Sequence, residues 1–191
     1  MKSFLKVIQL HKDESLLINK AIKNNREAQQ ALYDLHAPKM LSVCRYYVKD
    51  LQYAEDVMLN GFFKVFTNLN TFKKEGSFEG WIRRIMVRES ISFLRSKKSI
   101  EFTDDEVGVG TEEVNTITTN IEVAEIQQLI DALPEGYKMV FIMYAIEGYK
   151  HHEISEILKI SEGTSKSQLF KARKMLQENI KKLNNTNYGT N

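Results

Sequence analysis

The chain has 191 residues, of which 42% are hydrophobic, so it is long enough for one large or two small domains with real cores. It contains only two prolines and nine glycines and no run of alternating β-branched residues, which predicts an all-α fold and excludes a disordered chain. No stretch reaches the ~20 apolar residues that cross a bilayer, and the N-terminus lacks the apolar core of a signal peptide. We therefore expect a cytoplasmic protein.

Charge is distributed unevenly along the chain, although the net charge is only +2. Residues 1–98 carry 18 Lys and Arg against 10 Asp and Glu, residues 99–136 carry 10 acids and no Lys or Arg, and residues 137–191 carry 9 bases against 5 acids. Within the acidic stretch, residues 99–120 lack helical periodicity, which predicts an exposed flexible linker. The linker separates a helical domain at 1–98 from a second at 121–183, and a disordered tail is expected at 184–191.

Four amphipathic segments are predicted in the first domain, at about 14–24, 26–49, 53–69 and 78–97, with the clearest break at 72–77. Cys44 is the only cysteine and lies among apolar residues, which excludes an internal disulfide and predicts a buried thiol.

The inward face of the third segment consists of Val57, Met58, Phe62, Val65, Phe66 and Leu69. A second face carries Asp56, Leu59, Asn60 and Phe63. This mixture indicates either a partner-binding surface or packing against another helix of the domain.

The fourth segment combines cations with aromatic rings. Arg84, Arg88 and Arg95 fall near one face of the predicted helix, a stripe suited to the phosphates of a nucleic acid. Lys97 and Lys98 follow it. The rings of Phe72, Phe78 and Trp81 lie in or beside the preceding break, where an unpaired base can stack. Because a Trp in a helical apolar pattern is more often part of a core, burial of Trp81 is the alternative.

Two short amphipathic segments between 149 and 176 are separated by a gap that allows only a sharp turn, which predicts a helix-turn-helix. Ser161 is expected to cap the second helix by accepting a backbone N–H near Gly163 or Thr164. The buried stripe of this helix is predicted to contain Ser165, Leu169, Ala172 and Leu176. The opposite side is predicted to present Lys166, Ser167, Phe170, Lys171 and Lys174.

That opposite side suits the major groove of DNA. Its lysines can neutralise phosphates, Ser167 and Gln168 can bond base edges, and Phe170 can contact a thymine methyl group. An ordinary solvated face is the alternative, and the preceding helix and tight turn argue against it.

Three classes of function can be weighed against these features. An ordinary helix-turn-helix transcriptional regulator predicts a ligand or dimerisation domain in the first 98 residues, and we identify neither. An enzyme would depend on His151, His152 and Glu153, but adjacent helical residues point in different directions and cannot form one metal site. A general interaction module would leave the arginine stripe unexplained.

Four features follow one another in the chain: AEDVMLNGFFKVF at 54–66, FEGWIRRIMVRESISFLR at 78–95, an acidic linker, and the helix-turn-helix segment at 133–176. In this order they resemble the alternative sigma factors of bacterial RNA polymerase, specifically the extracytoplasmic-function (ECF) group. The resemblance covers nearly the whole chain.

The resemblance implies that residues 54–66 dock on the clamp helices of the polymerase β′ subunit through Asp56, Leu59, Asn60 and Phe63. Residues 71–80 would capture a base flipped from the −10 element, and the helix from Trp81 would hold the separated strand. The implied −10 contacts are Phe72, Lys73, Lys74, Ser77, Phe78, Arg84, Arg88, Ser92 and Arg95.

Residues 121–183 would read the −35 element as duplex DNA. The implied contacts are Ser161, Thr164, Lys166, Ser167, Gln168, Phe170, Lys171 and Lys174. The acidic linker would run through the RNA-exit path of polymerase or act as a plain tether, and an anti-sigma factor is a further implied partner. No cofactor is implied, and the protein would not be an enzyme because polymerase performs the chemistry.

Some positions differ from the usual family pattern. Leu59 and Asn60 stand where Gln and an acid are general, and Arg88 and Ser92 stand where Asn and Asp are common. Lys159 replaces a frequent Gly at the turn; if its backbone is left-handed, we expect a cost of about 1 kcal/mol.

Overall fold

The computed structural model describes residues 14–97 and 123–188, with side chains over 14–97 and 125–183. These residues are helical or in turns and contain no strand, which confirms the all-α prediction. The chain divides into two compact units, Met1–Phe93 and Leu94–Asn191. The predicted linker at 99–120 lies outside the described residues.

Four α-helices precede that gap among the described residues: α1 (residues 14–22), α2 (Arg26–Tyr47), α3 (Leu51–Thr67) and α4 (Phe78–Ser96). A short 3₁₀ helix (Leu69–Thr71) follows α3. Short polar side chains determine where three of them begin. Asn25 Oδ1 accepts the Ala28 N–H at 2.8 Å before α2, and Asp50 Oδ1 accepts the Tyr53 N–H at 3.0 Å before α3. Ser77 Oγ accepts the Gly80 N–H at 3.0 Å before α4. Each bond satisfies a first-turn donor that has no partner within the helix.

The core of the first unit lies between α2, α3 and α4. Helix α2 packs against α3. The His36 ring meets Phe78 of α4 at a centroid distance of 5.5 Å, and Tyr53 of α3 meets Phe93 of α4 at 5.4 Å. The fully buried side chains here include Leu32, Met40, Cys44, Tyr47, Val65, Ile82 and Met86. Burial of Cys44 confirms the prediction made for it.

The second unit contains α5 (Val123–Asp131), α6 (Glu135–Phe141), a π-helical turn (Ile142–Ile146), α7 (His151–Leu158) and α8 (Glu162–Tyr188). Helices α5, α6 and α7 all pack against α8. The prediction of a disordered tail from residue 184 is wrong for 184–188, because α8 continues to Tyr188. Residues 189–191 lie outside the described part of the chain.

The described helices lie at 14–96 and 123–188. None of them combines the length and the sustained hydropathy needed to cross a bilayer.

Candidate protein and nucleic-acid interfaces

Helix α3 exposes a mixed apolar and polar surface, which we call the α3 face: Asp56, Leu59, Asn60 and Phe63. At 100° per residue these four positions fall within about 100° of one another. Leu59 is 52% exposed and Phe63 is 71% exposed, and Asp56 and Asn60 are exposed beside them. The alternative that this face packs within the unit is therefore wrong. Of the side chains predicted to point inward, only Phe66 is half-buried rather than buried.

Three rings gather where the loop at 72–77 enters α4. Phe72 lies 5.2 Å from Phe78 and 5.5 Å from Trp81 between ring centroids, and Phe78 stacks on Trp81 at 5.8 Å. Phe78 is only 2% exposed and also packs on His36, so the prediction that its ring is available to a base is wrong. Phe72 and Trp81 are half-buried. Phe78 thus supports the two rings that solvent reaches.

The polar residues of this loop lie outside the ring cluster. Lys73, Lys74 and Ser77 are exposed. Lys74 has a left-handed backbone with φ 62°, and its Nζ donates to Asn19 Oδ1 of α1 at 3.0 Å. The loop therefore presents cations beside the rings of Phe72 and Trp81, as the sequence predicted.

The arginine stripe runs along the exposed side of α4. Arg84, Arg88 and Arg95 are all exposed, and their positions fall within about 40° of one another around the helix. Ser92 is exposed near the same line. Arg95 Nη2 donates to the Ile157 carbonyl at 2.8 Å, so Arg84 and Arg88 are the cations of this face that suit a phosphate backbone.

The turn between α7 and α8 has the geometry predicted for it. Lys159 is left-handed, with φ 56° and ψ 47°, and its N–H donates to the Ser155 carbonyl. Ser161 Oγ accepts the Thr164 N–H at 2.9 Å, which confirms the N-cap. Its hydroxyl also lies 2.8 Å from Thr164 Oγ1.

The buried side of α8 is wider than predicted. Ser165, Leu169 and Ala172 are buried as expected, but Thr164 (8% exposed), Ser167 (6%) and Gln168 (0%) are buried too. Together these six positions cover about 200° of the helix. The Ser167 hydroxyl donates to the Thr164 carbonyl at 3.0 Å. The prediction that Ser167 lies on the exposed side is therefore wrong, and so is the prediction that Thr164, Ser167 and Gln168 contact the −35 duplex.

The exposed strip of α8 is correspondingly narrower than predicted. Gly163, Lys166, Phe170 and Lys174 fall within about 80° of one another. Lys166 and Lys174 are exposed, and Phe170 is half-buried rather than fully exposed. Lys171 stands at the edge of the strip, with its Nζ 5.9 Å from the centroid of the Tyr137 ring.

Sequence reasoning missed Glu162, which is exposed beside this strip. Its Oε2 lies 3.9 Å from Lys166 Nζ, and both side chains are about half exposed, at 52% and 49%. Such a pair contributes little to stability, so both side chains are available to a ligand. The sequence feature that could have identified Glu162 is its position directly after the Ser161 N-cap.

Side chains at the start of α7 make contacts that stabilise the fold. His151 Nδ1 lies 2.9 Å from Ser165 Oγ, and the His151 ring stacks on Tyr144 at 4.7 Å. Glu153 Oε2 accepts the Lys150 N–H at 2.8 Å. Burial, followed by the nearby Lys166 charge, lowers the pKa of His151. No group of three potential ligands among the described residues is placed to hold a metal ion.

Both halves of the chain match families of one protein class. Residues 32–100 match sigma-70 region 2, and residues 124–176 match sigma-70 region 4. Together the two matches cover more than half of the chain. The region 2 match argues against a helix-turn-helix regulator without polymerase binding, since it occupies the place of a ligand or dimerisation domain.

Individual proteins extend this likeness. ECF RNA polymerase sigma factor SigW of Bacillus subtilis is 27% identical over 186 residues, which cover 88% of this chain and 99% of SigW. RNA polymerase sigma factor SigV of the same organism is 29% identical over 140 residues, or 71% of this chain and 81% of SigV. The sigma factor RpoE from Bartonella quintana, solved with the anti-sigma factor NepR, has the same fold. Its TM-score is 0.53 at 21% identity, covering 80% of this chain and 96% of RpoE.

Proposed function

We propose that this chain, which belongs to the sigma-70 family and is an alternative sigma factor of the ECF group, docks on core RNA polymerase through the α3 face. The observation that carries the proposal is the exposure of Leu59 and Phe63, at 52% and 71%, beside Asp56 and Asn60. Large apolar side chains surrounded by polar ones are typical of protein interfaces. The clamp helices of the β′ subunit are the proposed partner surface.

The promoter contacts divide between the two units. In the first unit, Phe72 and Trp81 would stack on an extruded −10 base, while Arg84 and Arg88 of α4 would neutralise the adjacent phosphates. In the second unit, Lys166 and Phe170 would enter the major groove of the −35 duplex. Lys174 would contact phosphate. Because Ser167 and Gln168 are buried, base readout passes to the exposed strip of α8.

The resulting mechanism is one of binding and not of catalysis. Sigma factors are transcription initiation factors, and polymerase performs the phosphoryl transfer. This chain would bring polymerase to a promoter and use its affinity for the unpaired strand to favour the melted −10 region. It would act in the bacterial cytoplasm, where polymerase meets DNA.

An anti-sigma factor is a further proposed partner. The support is the RpoE structure, in which a sigma factor of the same fold is bound by the anti-sigma factor NepR. A regulator that covered the α3 face would compete directly with polymerase for Leu59 and Phe63.

Co-elution with core polymerase in size-exclusion chromatography tests the docking proposal. Phe63→Asp places a charge at the centre of the α3 face and should weaken the complex at least tenfold. Leu35→Asp is the matched control, because Leu35 is 50% exposed on α2. Equal loss in both variants, or unchanged binding by Phe63→Asp, would overturn the proposal.

A further inference from the structure

Glu162 is the first residue of α8 and places an acid beside the cations of the exposed strip. It precedes Lys166 by about one turn and lies about 40° from it around the helix. A carboxylate that faces DNA is repelled by the phosphates. Glu162 therefore opposes the charge of its neighbours, and this cost is offset only where the carboxylate accepts a hydrogen bond from a base.

The start of α8 does not depend on the Glu162 side chain. Ser161 Oγ accepts the Thr164 N–H at 2.9 Å, and the Ser161 carbonyl accepts the Ser165 N–H at 3.0 Å. The Glu162 side chain is 52% exposed, and its contact with Lys166 is long, at 3.9 Å between Oε2 and Nζ. A carboxylate has about four acceptor sites, so this contact leaves others for a ligand.

The position of Glu162 suits the edges of the bases. In a helix-turn-helix, the N-terminal residues of the second helix reach into the major groove. Gly163 is exposed and has no side chain, while Thr164 and Ser165 are buried. Glu162 and Lys166 are therefore the first long side chains of α8 that can meet base edges.

The pair of side chains matches the edge of one G·C base pair. In the major groove this pair presents two neighbouring acceptors, guanine N7 and O6, followed by one donor, cytosine N4. O6 and N4 are hydrogen-bonded to each other and lie about 2.9 Å apart. The ammonium of Lys166 and the carboxylate of Glu162 are complementary to these groups at a similar spacing, 3.9 Å.

An A·T base pair fits the same two side chains less well. Its major-groove donor, adenine N6, stands between two acceptors, adenine N7 and thymine O4. Both acceptors repel a carboxylate that approaches N6. The charge of Glu162 thus favours a G·C pair and disfavours an A·T pair at the same position.

We propose that Glu162 selects cytosine at one position of the −35 element by accepting a hydrogen bond from cytosine N4, while Lys166 donates to the guanine of the same base pair. This inference rests on the proposed −35 role of α8 and adds to it the base that is read. It makes Glu162 a specificity-determining residue.

The test uses the full chain with core polymerase on promoters that carry every single base-pair substitution in the −35 element. Competition binding gives the dissociation constants for wild type, Glu162→Ala and Glu162→Gln. For wild type we expect one position where replacement of cytosine weakens binding about tenfold. Glu162→Ala should bind all four bases about equally at that position. Glu162→Gln should prefer adenine there, because a Gln amide pairs with adenine N6 and N7.

Glu178→Gln is the matched control, because it removes the same charge from an exposed site further along α8 and should keep the cytosine preference. If Glu162→Gln leaves every base preference unchanged while Lys166→Ala weakens binding, the Glu162 proposal is wrong and the −35 role of α8 stands. If no −35 substitution affects wild type, the proposed −35 surface itself fails. An equal loss at all sequences with a lower thermal unfolding midpoint would assign Glu162 to the start of the helix and would also overturn the proposal.

Discussion

Lys159 holds a left-handed backbone at the turn of the helix-turn-helix, with φ 56° and ψ 47°. A residue with a Cβ atom is strained there, whereas Gly is not. Since the Lys159 side chain is exposed, its removal loses no packing. We predict that Lys159→Gly raises the free energy of unfolding of the second unit by about 1 kcal/mol, measured as a higher midpoint in differential scanning calorimetry.

Gly148 provides the opposite control, because its φ is +76°. Gly148→Ala should lower the same midpoint. A fall in stability for Lys159→Gly would show that backbone strain at the turn is not the dominant effect.

Cys44 is fully buried, and burial raises the pKa of its thiol from 9.0 to about 12, although a hydrogen bond with Ser90 opposes the shift. Between pH 9 and 12 the unfolded chain loses this proton while the folded chain keeps it. The unfolding free energy of wild type should therefore fall across that window more steeply than that of Cys44→Ala, by up to about 1.4 kcal/mol per pH unit.

Urea denaturation of both proteins at several pH values measures the difference. Below pH 9 the thiol is protonated in both states, so the two slopes should agree. A difference between the two slopes that is already present below pH 8 would contradict the raised pKa. Equal slopes above pH 9 would contradict it as well. Iodoacetamide should also label wild type only after unfolding.

At the scale of elements, the packing of the Met86 side chain of α4 against α3 depends on a missing side chain. A Cβ atom at Gly61 would contact Sδ of Met86 and lie 2.9 Å from its Cε, and Met86 is fully buried. We predict that Gly61→Ala destabilises the first unit by about 1–3 kcal/mol through overpacking. Thermal unfolding followed by circular dichroism measures the loss.

Two further variants test whether overpacking is the cause. Gly76→Ala, in the loop before α4, is the control without a steric obstacle, because no heavy atom lies within 4 Å of the Cβ position at Gly76. Gly61→Ala should cost less in a Met86→Ala background, where the obstructing side chain is absent. Equal costs in the two backgrounds would show that Met86 is not the obstacle.

The parts of the site that the sequence predicted are those set within one or two helical turns. The Ser161 cap bonds the N–H of Thr164, only three residues away. The left-handed backbone of Lys159 lies directly after the last residue of α7. The α3 face followed from periodicity along a single helix, since Leu59 and Phe63 recur at the spacing of one turn.

The predictions of exposed side chains fail where several helices pack around the same residues. A single apolar stripe leaves most of a helix exposed, but α8 is contacted by α5, α6 and α7, so its buried arc takes in Ser167 and Gln168. Phe78 is covered by His36, which lies 42 residues earlier in the chain. Lys138 is fully buried with its Nζ 2.9 Å from Glu135 Oε1, although its residue type predicts exposure.

At the scale of the whole molecule, two units with different proposed ligands are joined through one chain. The first presents the α3 face together with exposed rings and arginines, and the second presents the exposed strip of α8. On the proposed function neither unit alone would specify a promoter, because the proposed polymerase surface and the proposed −35 surface lie on different units. The proposed function therefore requires that both surfaces act on one polymerase and promoter complex.

The measurement that tests this account most directly is run-off transcription by core polymerase from a cognate promoter, with and without the full chain. We predict a promoter-specific transcript only when the chain is present, and at least a tenfold loss with Lys166→Ala and Lys174→Ala combined. The matched control is Lys181→Ala with Lys182→Ala, which removes two exposed charges further along α8 and should leave the transcript unchanged. Polymerase that yields no specific transcript with the chain bound would contradict the account.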